Sequence, residues 1–186
     1  EGRKKLLEKK WSKEQIVYAA KKLDGKRTGM WEIPKFKFIE NRKVREELQK
    51  YGIRLGSWAN ELLDQVPLAT EPRTVRLAAV QPSLLFPGRH VRLKTIYKEV
   101  AKLGGSPCPA EVGLVLHLQV ATPACSIYAI AMEPMVTSDK VWAMFSVENG
   151  IGSSSRWLRG LEGNLNCIWN LYDDPHLDQI VVMIGS

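Results

Sequence analysis

His90, His117 and His176, with the carboxylates Asp173, Asp174 and Asp178, are the side chains of this 186-residue chain best suited to proton transfer or to holding a cation. Their spacing serves neither purpose. The histidines are far apart in sequence, and His117 falls on the alternate face of an apolar run, where a hydrogen-bonded structural imidazole is commoner than a base. Pro175 interrupts the aspartates, so turn formation explains them better than a carboxylate cluster. Cys108 stands between Pro107 and Pro109 and reads as a small buried side chain. With Cys125 and Cys167 it makes an odd, widely spaced set that suits neither a disulfide framework nor a zinc site. That usage points to a reducing, cytoplasmic compartment. No Gly-rich phosphate loop, HExxH, GxSxG or CxxC is present. Nothing joins a nucleophile, a base and an orienting group, so no catalytic residue, cofactor or metal is expected. The expectation is a protein that binds, not an enzyme.

Charge is unevenly placed. The chain carries 27 Lys and Arg against 20 Asp and Glu, a net +7. Residues 1–64 hold 17 of the basic and 10 of the acidic side chains, while residues 65–186 are balanced at 10 against 10. The whole excess therefore lies in the first third. Such clustering is the electrostatic footprint of a nucleic-acid binder, because a cation near a phosphate releases counterions. A solvated helical surface is the plainer alternative. Hydrophobic residues make up 45% and charged residues 25%, a globular balance that excludes wholesale disorder. No apolar run approaches the roughly 20 residues of a membrane span, and no hydrophobic leader follows Glu1-Gly2-Arg3-Lys4-Lys5. No membrane partner is expected, and no secretory signal is visible in the residues given.

The elements that would position a site fall into two parts. Ser12-Lys13-Glu14-Gln15 is a capping box, with Trp11 and Ile16 placed as a hydrophobic staple. Ile16, Ala19, Ala20 and Leu23 continue a helical stripe that Gly25 ends. A second helix is expected at about Arg42–Tyr51, with Val44, Leu48 and Tyr51 on one face and Gly52 after it. A third starts from Ser57 as N-cap and lays down Trp58, Leu62, Leu63 and Val66. Between the first two, Pro34 with alternating Phe36 and Phe38 suggests an extended arm over Lys26–Glu40. Pro67 and Pro72 bracket a linker, 67–73, dividing a basic three-helix module at 1–66 from a second domain at 74–186.

Beyond the linker the apolar period changes from 3.6 to 2. Thr74–Val80, Leu114–Val120, Ser126–Met132, Val141–Val147 and Gln179–Ile184 read as strands. One helix, about Thr95–Leu103, interrupts them with the stripe Ile96, Tyr97, Val100 and Leu103 before Gly104-Gly105. The fold class is α+β, with largely antiparallel strands. The 31 residues between Val147 and Gln179 are rich in Gly, Ser, Asn and Asp and contain Trp157 and Trp169. A stretch that long without periodicity is functional or disordered, and large rings argue for order. Mixed Asn, Ser, Asp, Gly, Tyr and Arg around such anchors is the composition of adaptable paratopes; an ordinary long loop is the alternative. Arg159, Glu162, Asn164, Asn166, Asn170, Tyr172 and His176 are expected to point outward as a ligand face over buried Trp157 and Trp169.

Two resemblances sharpen these readings. Trp11-Ser12-Lys13-Glu14-Gln15-Ile16 and Gly56-Ser57-Trp58-Ala59-Asn60-Glu61-Leu62 resemble the homing-endonuclease-associated repeat, a small helical DNA-binding module, over about residues 11–66. In that family an aromatic residue precedes the Gly-Ser-Trp run; here Leu55 stands there. The resemblance implies that Lys35, Lys37, Arg42, Lys43 and Arg45 contact a DNA backbone, since such contacts come chiefly from Arg and Lys.

Over roughly 74–186 the chain resembles the variable proteins of diversity-generating retroelements, which have a C-type-lectin fold. Cys108-Pro109-Ala110-Glu111-Val112-Gly113 with Leu116–Gln119, Ile130-Ala131-Met132-Glu133-Pro134, Arg156-Trp157-Leu158 and Trp169 carry it. It implies a strand scaffold presenting an irregular C-terminal surface whose codons an error-prone reverse transcriptase rewrites, and so a protein or other macromolecular ligand. Calcium-dependent lectins of the broader fold use a Glu-Pro-Asn-like and a Trp-Asn-Asp tripeptide. Here Glu133-Pro134-Met135 and Trp169-Asn170-Leu171 put Met and Leu where a hard oxygen would be needed, so calcium and sugar are not expected. The leading expectation is a ligand-binding variable protein; the alternative is a DNA-binding or regulatory protein acting through 1–66.

Overall fold

Short strands and helices follow one another along the chain, and the longer ones mostly lie where the local apolar pattern places them. The structure is a computed structural model and describes residues 28–33, 41–68, 71, 73–80, 82–86, 90–102, 104–119, 126–150, 156–170 and 179–184. In order the elements are β1 (Thr28–Ile33), α1 (Asn41–Lys50), β2 (Ile53–Leu55), α2 (Ser57–Gln65), β3 (Arg73–Val80), α3 (Pro82–Leu85), β4 (His90–Arg92) and α4 (Leu93–Lys102). There follow β5 (Gly105–Ser106), α5 (Val112–Gln119), β6 (Ser126–Ile130), β7 (Met135–Val136), β8 (Trp142–Asn149), β9 (Arg156–Glu162), β10 (Ile168–Asn170) and β11 (Gln179–Ile184). The fold is α+β. Among the described residues nine strands make one mixed, mainly antiparallel sheet in the order β1-β3-β11-β6-β8-β9-β2, with β5 beside β11 and β7 beside β8. β4 and β10 form a separate antiparallel ribbon. The expected helix at Ser12–Leu23 and the Pro34, Phe36 and Phe38 of the arm lie outside the described residues.

Burial follows period where one face is open. In β3, Val75 and Leu77 are buried while Thr74 and Arg76 are exposed. β11 buries Ile180, Val181 and Val182 in succession, as befits a strand paired antiparallel to β3 on one side and parallel to β6 on the other. Helices cover both faces of β8. Gly113 of α5 comes against Phe145, while Tyr97 of α4 reaches the preceding residue, Met144, with its hydroxyl 3.5 Å from Sδ.

Four expectations are corrected. Residues 112–119 are a helix, not the strand expected at Leu114–Val120. Every side chain from Val112 to His117 that has one is buried, so the Leu/Val alternation carries no face information, and a continuous apolar run fits a buried helix equally well. Gly56, not Ser57, is the N-cap of α2, with extended backbone and no side-chain cap bond. Tyr51 is 56% exposed and does not join Val44 and Leu48 on the buried face of α1. Gly52 ends that helix at φ +69°, a conformation that glycine reaches without a Cβ clash.

The fourth correction concerns the seam. β1 runs antiparallel to β3, and β2 joins β9 in parallel, Ile53 to Arg156 through Leu55 to Leu158. Strand pairing thus crosses Pro67–Pro72, and the described part of residues 28–66 is built into the same sheet as the rest. α2 is fixed to that sheet as well: a Cβ on Gly160 of β9 would collide with Cβ of Trp58, so only glycine admits the helix this closely. The sequence pattern hides this because period reports which face is buried, not which strand lies alongside.

Candidate ligand-binding face

β9 occupies the segment expected to be irregular, and its register assembles a face from three strands. Trp157 lies opposite Glu148 of β8 and Arg54 of β2, while Arg159 lies opposite Ser146. Cross-strand partners share a face, and so do residues two apart on one strand. Arg54, Trp157, Glu148 and Arg159 therefore stand together. Their neighbours Ile53, Leu158 and Val147 point the other way and are fully buried.

The exposed face is organised around one indole. The Arg159 guanidinium carbon is 4.7 Å from the Trp157 ring centroid and that of Arg54 is 5.5 Å away. Each such contact contributes about 0.5–1 kcal/mol at an exposed site. Arg159 Nε also donates to Glu148 Oε2 at 3.0 Å, and Ser146 Oγ donates to the other carboxylate oxygen at 3.4 Å. Trp157 is half-buried, which corrects the expectation of a wholly buried anchor: it is a platform for cations. Arg156, one residue back, is spent inward, donating to the carbonyl oxygens of His117 and Tyr51.

His117 completes that fastening. Its Nε2 lies 2.6 Å from the Trp157 carbonyl oxygen; since a carbonyl only accepts, the proton sits on Nε2. Nδ1 is buried with no hydrogen-bond partner among the described residues. Burial pushes the imidazole down to about 4, the bond to Trp157 opposing the shift and the Arg156 charge adding to it. The buried ring, bonded to the Trp157 carbonyl, ties α5 to β9. Burial likewise raises the Cys108 thiol to about 12, its Sγ donating to the Val181 carbonyl at 3.4 Å.

The expected ligand residues continue from the end of β9 into the turn after it. Glu162, the last residue of β9, and Asn164 and Asn166 of the turn are exposed like Arg159, although strand alternation sets Glu162 with Leu158 and Gly160 and not with Arg159. The turn that carries them is tied down mainly through its backbone. Leu93 and Lys94, the first residues of α4, donate their N–H groups to the carbonyls of Cys167 (3.1 Å) and Leu165 (2.9 Å), filling orphan donors at a helix start. Cys167 N–H bonds the Asn164 carbonyl at 2.8 Å; two side chains add ties, Asn164 Oδ1 accepting from Asn166 N–H at 2.9 Å and Cys167 Sγ donating to the Glu162 carbonyl at 3.9 Å. Trp169 lies opposite Val91 in the ribbon and is 5% exposed, an anchor. Asn170 is in β10 with its side chain undescribed, and Tyr172 and His176, like the Asp173, Asp174 and Asp178 turn, lie outside the described residues.

Of the expected DNA-contacting set, only the Arg45 side chain is among those described. Lys35 and Lys37 lie outside the described residues, and the side chains of Arg42 and Lys43 in α1 are not described. Arg45 has another job. Its guanidinium donates to the Asn60 side-chain and backbone oxygens, each at 2.7 Å, and pairs with Asp64 at 2.9 Å, binding α1 to α2. Arg54 and Glu148 were missed by sequence reasoning; the only signal for Arg54 was its place between two apolar residues after Gly52. Among the described residues no three His, Cys, Asp or Glu side chains gather as a metal would need, and no helix is long and apolar enough to cross a membrane. Comparison with known proteins finds no family model, no curated protein and no solved structure that matches this chain.

Proposed function

We propose that this chain is a ligand-binding protein, not an enzyme, and that its C-terminal part is a C-type-lectin-like variable domain of the diversity-generating-retroelement kind. One observation carries the reading. Arg159, Glu162, Asn164 and Asn166 are all exposed on a backbone held by strand pairing and by helix-start amides, so side-chain identity and local fold are largely uncoupled. The ligand class is a protein or another macromolecule, because a broad polar face with an aromatic platform suits adaptable contacts better than a small enclosed pocket does.

The test is selection. A library randomised at these four codons and displayed on phage should yield binders to several unrelated proteins, each with a different residue set at the four positions. The encoding locus should carry, beside a reverse transcriptase, a near-copy of the segment for residues 145–180 differing at adenines. Absence of both binders and near-copy would remove this reading. The second reading, DNA binding through 1–66, rests on the charge excess of that segment; the full chain should then bind duplex with affinity falling steeply as salt rises.

A further inference from the structure

Arg54 belongs to the first part of the chain, yet the parallel pairing of β2 with β9 sets its side chain beside Trp157 on the open face of the sheet. The two guanidiniums there are not alike. Arg159 is matched: its Nε donates to Glu148 Oε2 at 3.0 Å, and Ser146 Oγ takes up the other carboxylate oxygen at 3.4 Å. Arg54 is exposed, and its contact is with the Trp157 ring, 5.5 Å from guanidinium carbon to centroid. A guanidinium carries five N–H donors, and among the described residues no carboxylate or other acceptor meets those of Arg54. Stacking holds that fork in place, so less side-chain entropy is lost when a ligand takes it. The half-buried indole also keeps water from one side of the cation, which strengthens a charge-assisted bond made on the other.

We infer that Arg54, held on the Trp157 ring, is a fixed seat for an acidic side chain, Asp or Glu, of a protein ligand. The guanidinium grips the carboxylate with two parallel N–H bonds, and the indole packs against the apolar surface around it. Trp, Tyr and Arg are the residue types that most often carry an interface's binding energy. The inference rests on the reading of this chain as a binding protein and names what its ligand must bring; the seat itself lies outside the residues expected to vary. A nucleic acid fits poorly, because repeated phosphates need a track of cations. Here the positions across the sheet from Arg54 are Trp157 and then the carboxylate Glu148. A free inorganic anion fits poorly too, since a lone exposed guanidinium holds one weakly. Arg54 serving only to cover the ring with its stem is the rival outcome.

The experiment titrates the isotope-labelled full chain with the capped peptide Gly-Tyr-Asp-Tyr-Gly and with its Asn counterpart, following the side-chain N–H signals of Arg54 and Trp157 by NMR. The Asp peptide should shift both signals and bind about tenfold more tightly than the Asn peptide. In Arg54→Gln, confirmed as folded by its melt, that preference should vanish. In Arg54→Lys, which keeps the charge and loses the fork, part of it should remain. Lys98→Gln removes an exposed charge on α4 and should leave the preference intact, which separates the seat from the chain's overall positive charge. Equal binding of the two peptides would overturn the inference while the binding-protein reading still stood on its own selection test. No shift with either peptide, a preference that survives Arg54→Gln or is lost equally in Lys98→Gln, or tighter binding of inorganic phosphate or oligothymidine than of the Asp peptide would each overturn it as well.

Discussion

The two sides of β9 obey opposite rules. On one side Leu158 is wholly buried, Gly160 admits Trp58 of α2, and Arg156 bonds inward to the carbonyls of α5 and of the turn before β2. On the other, Trp157 and Arg159 meet solvent; the exposed polar residues Glu162, at the strand's last position, and Asn164 and Asn166, in the turn after it, follow. A strand has no freedom on a face where helices pack at van der Waals distance, since interiors are as dense as crystals. It has more freedom where its side chains stand exposed, as at Arg159. The difference teaches where this chain tolerates change, and it follows from register rather than from composition.

The largest blow to that division should come from the anchor beneath the turn. Trp169→Ala removes a ring that is 5% exposed and should cost about 3–5 kcal/mol, read as a lowered urea midpoint. Loss of less than about 1 kcal/mol would mean that the turn is held elsewhere. Next is acidification. His117 has its folded value lowered to about 4 from the usual 6.5, so between those limits the unfolded chain binds the additional proton. Stability is therefore full above pH 6.5 and falls as pH drops toward 4, by about 3 kcal/mol in all. Urea melts at pH 7, 5 and 4 should follow that slope, and His117→Gln should flatten it. A smaller effect is expected at Trp157→Ala, about 1–2 kcal/mol, because the half-buried ring contributes mainly its two cation contacts. A cost equal to that of Trp169→Ala would show that the open face is core.

Much of the scaffold was legible in sequence. β3, β6, β8 and β11 follow alternating or short apolar runs, and α1, α2 and α4 follow stripes of period 3.6 that end near glycine or proline. α5 was not legible, since a segment buried all round has no moment to read. β9 was hidden by Gly160, which looks like a loop residue and is there because Trp58 presses against it. The polar row could be picked out by composition alone. Arg54 could not, because its place beside Trp157 depends on a parallel pairing between distant parts of the chain. Register of that kind is set by packing, and no local pattern records it.

The most direct measurement compares thermal and urea melts of one quadruple variant, Arg159→Ala, Glu162→Ala, Asn164→Ala and Asn166→Ala together, with those of Leu158→Ala alone. Exposed positions should cost no more than about 0.5 kcal/mol each, with up to about 1 kcal/mol at Arg159 for its pair with Glu148. Leu158→Ala should cost about 2–5 kcal/mol. We expect the quadruple variant to keep a single cooperative transition with its midpoint near that of the native chain, while the single core change lowers it clearly. If the quadruple variant unfolds and Leu158→Ala melts like the native chain, the polar row is part of the scaffold, and the division of β9 into a held face and a display face is wrong.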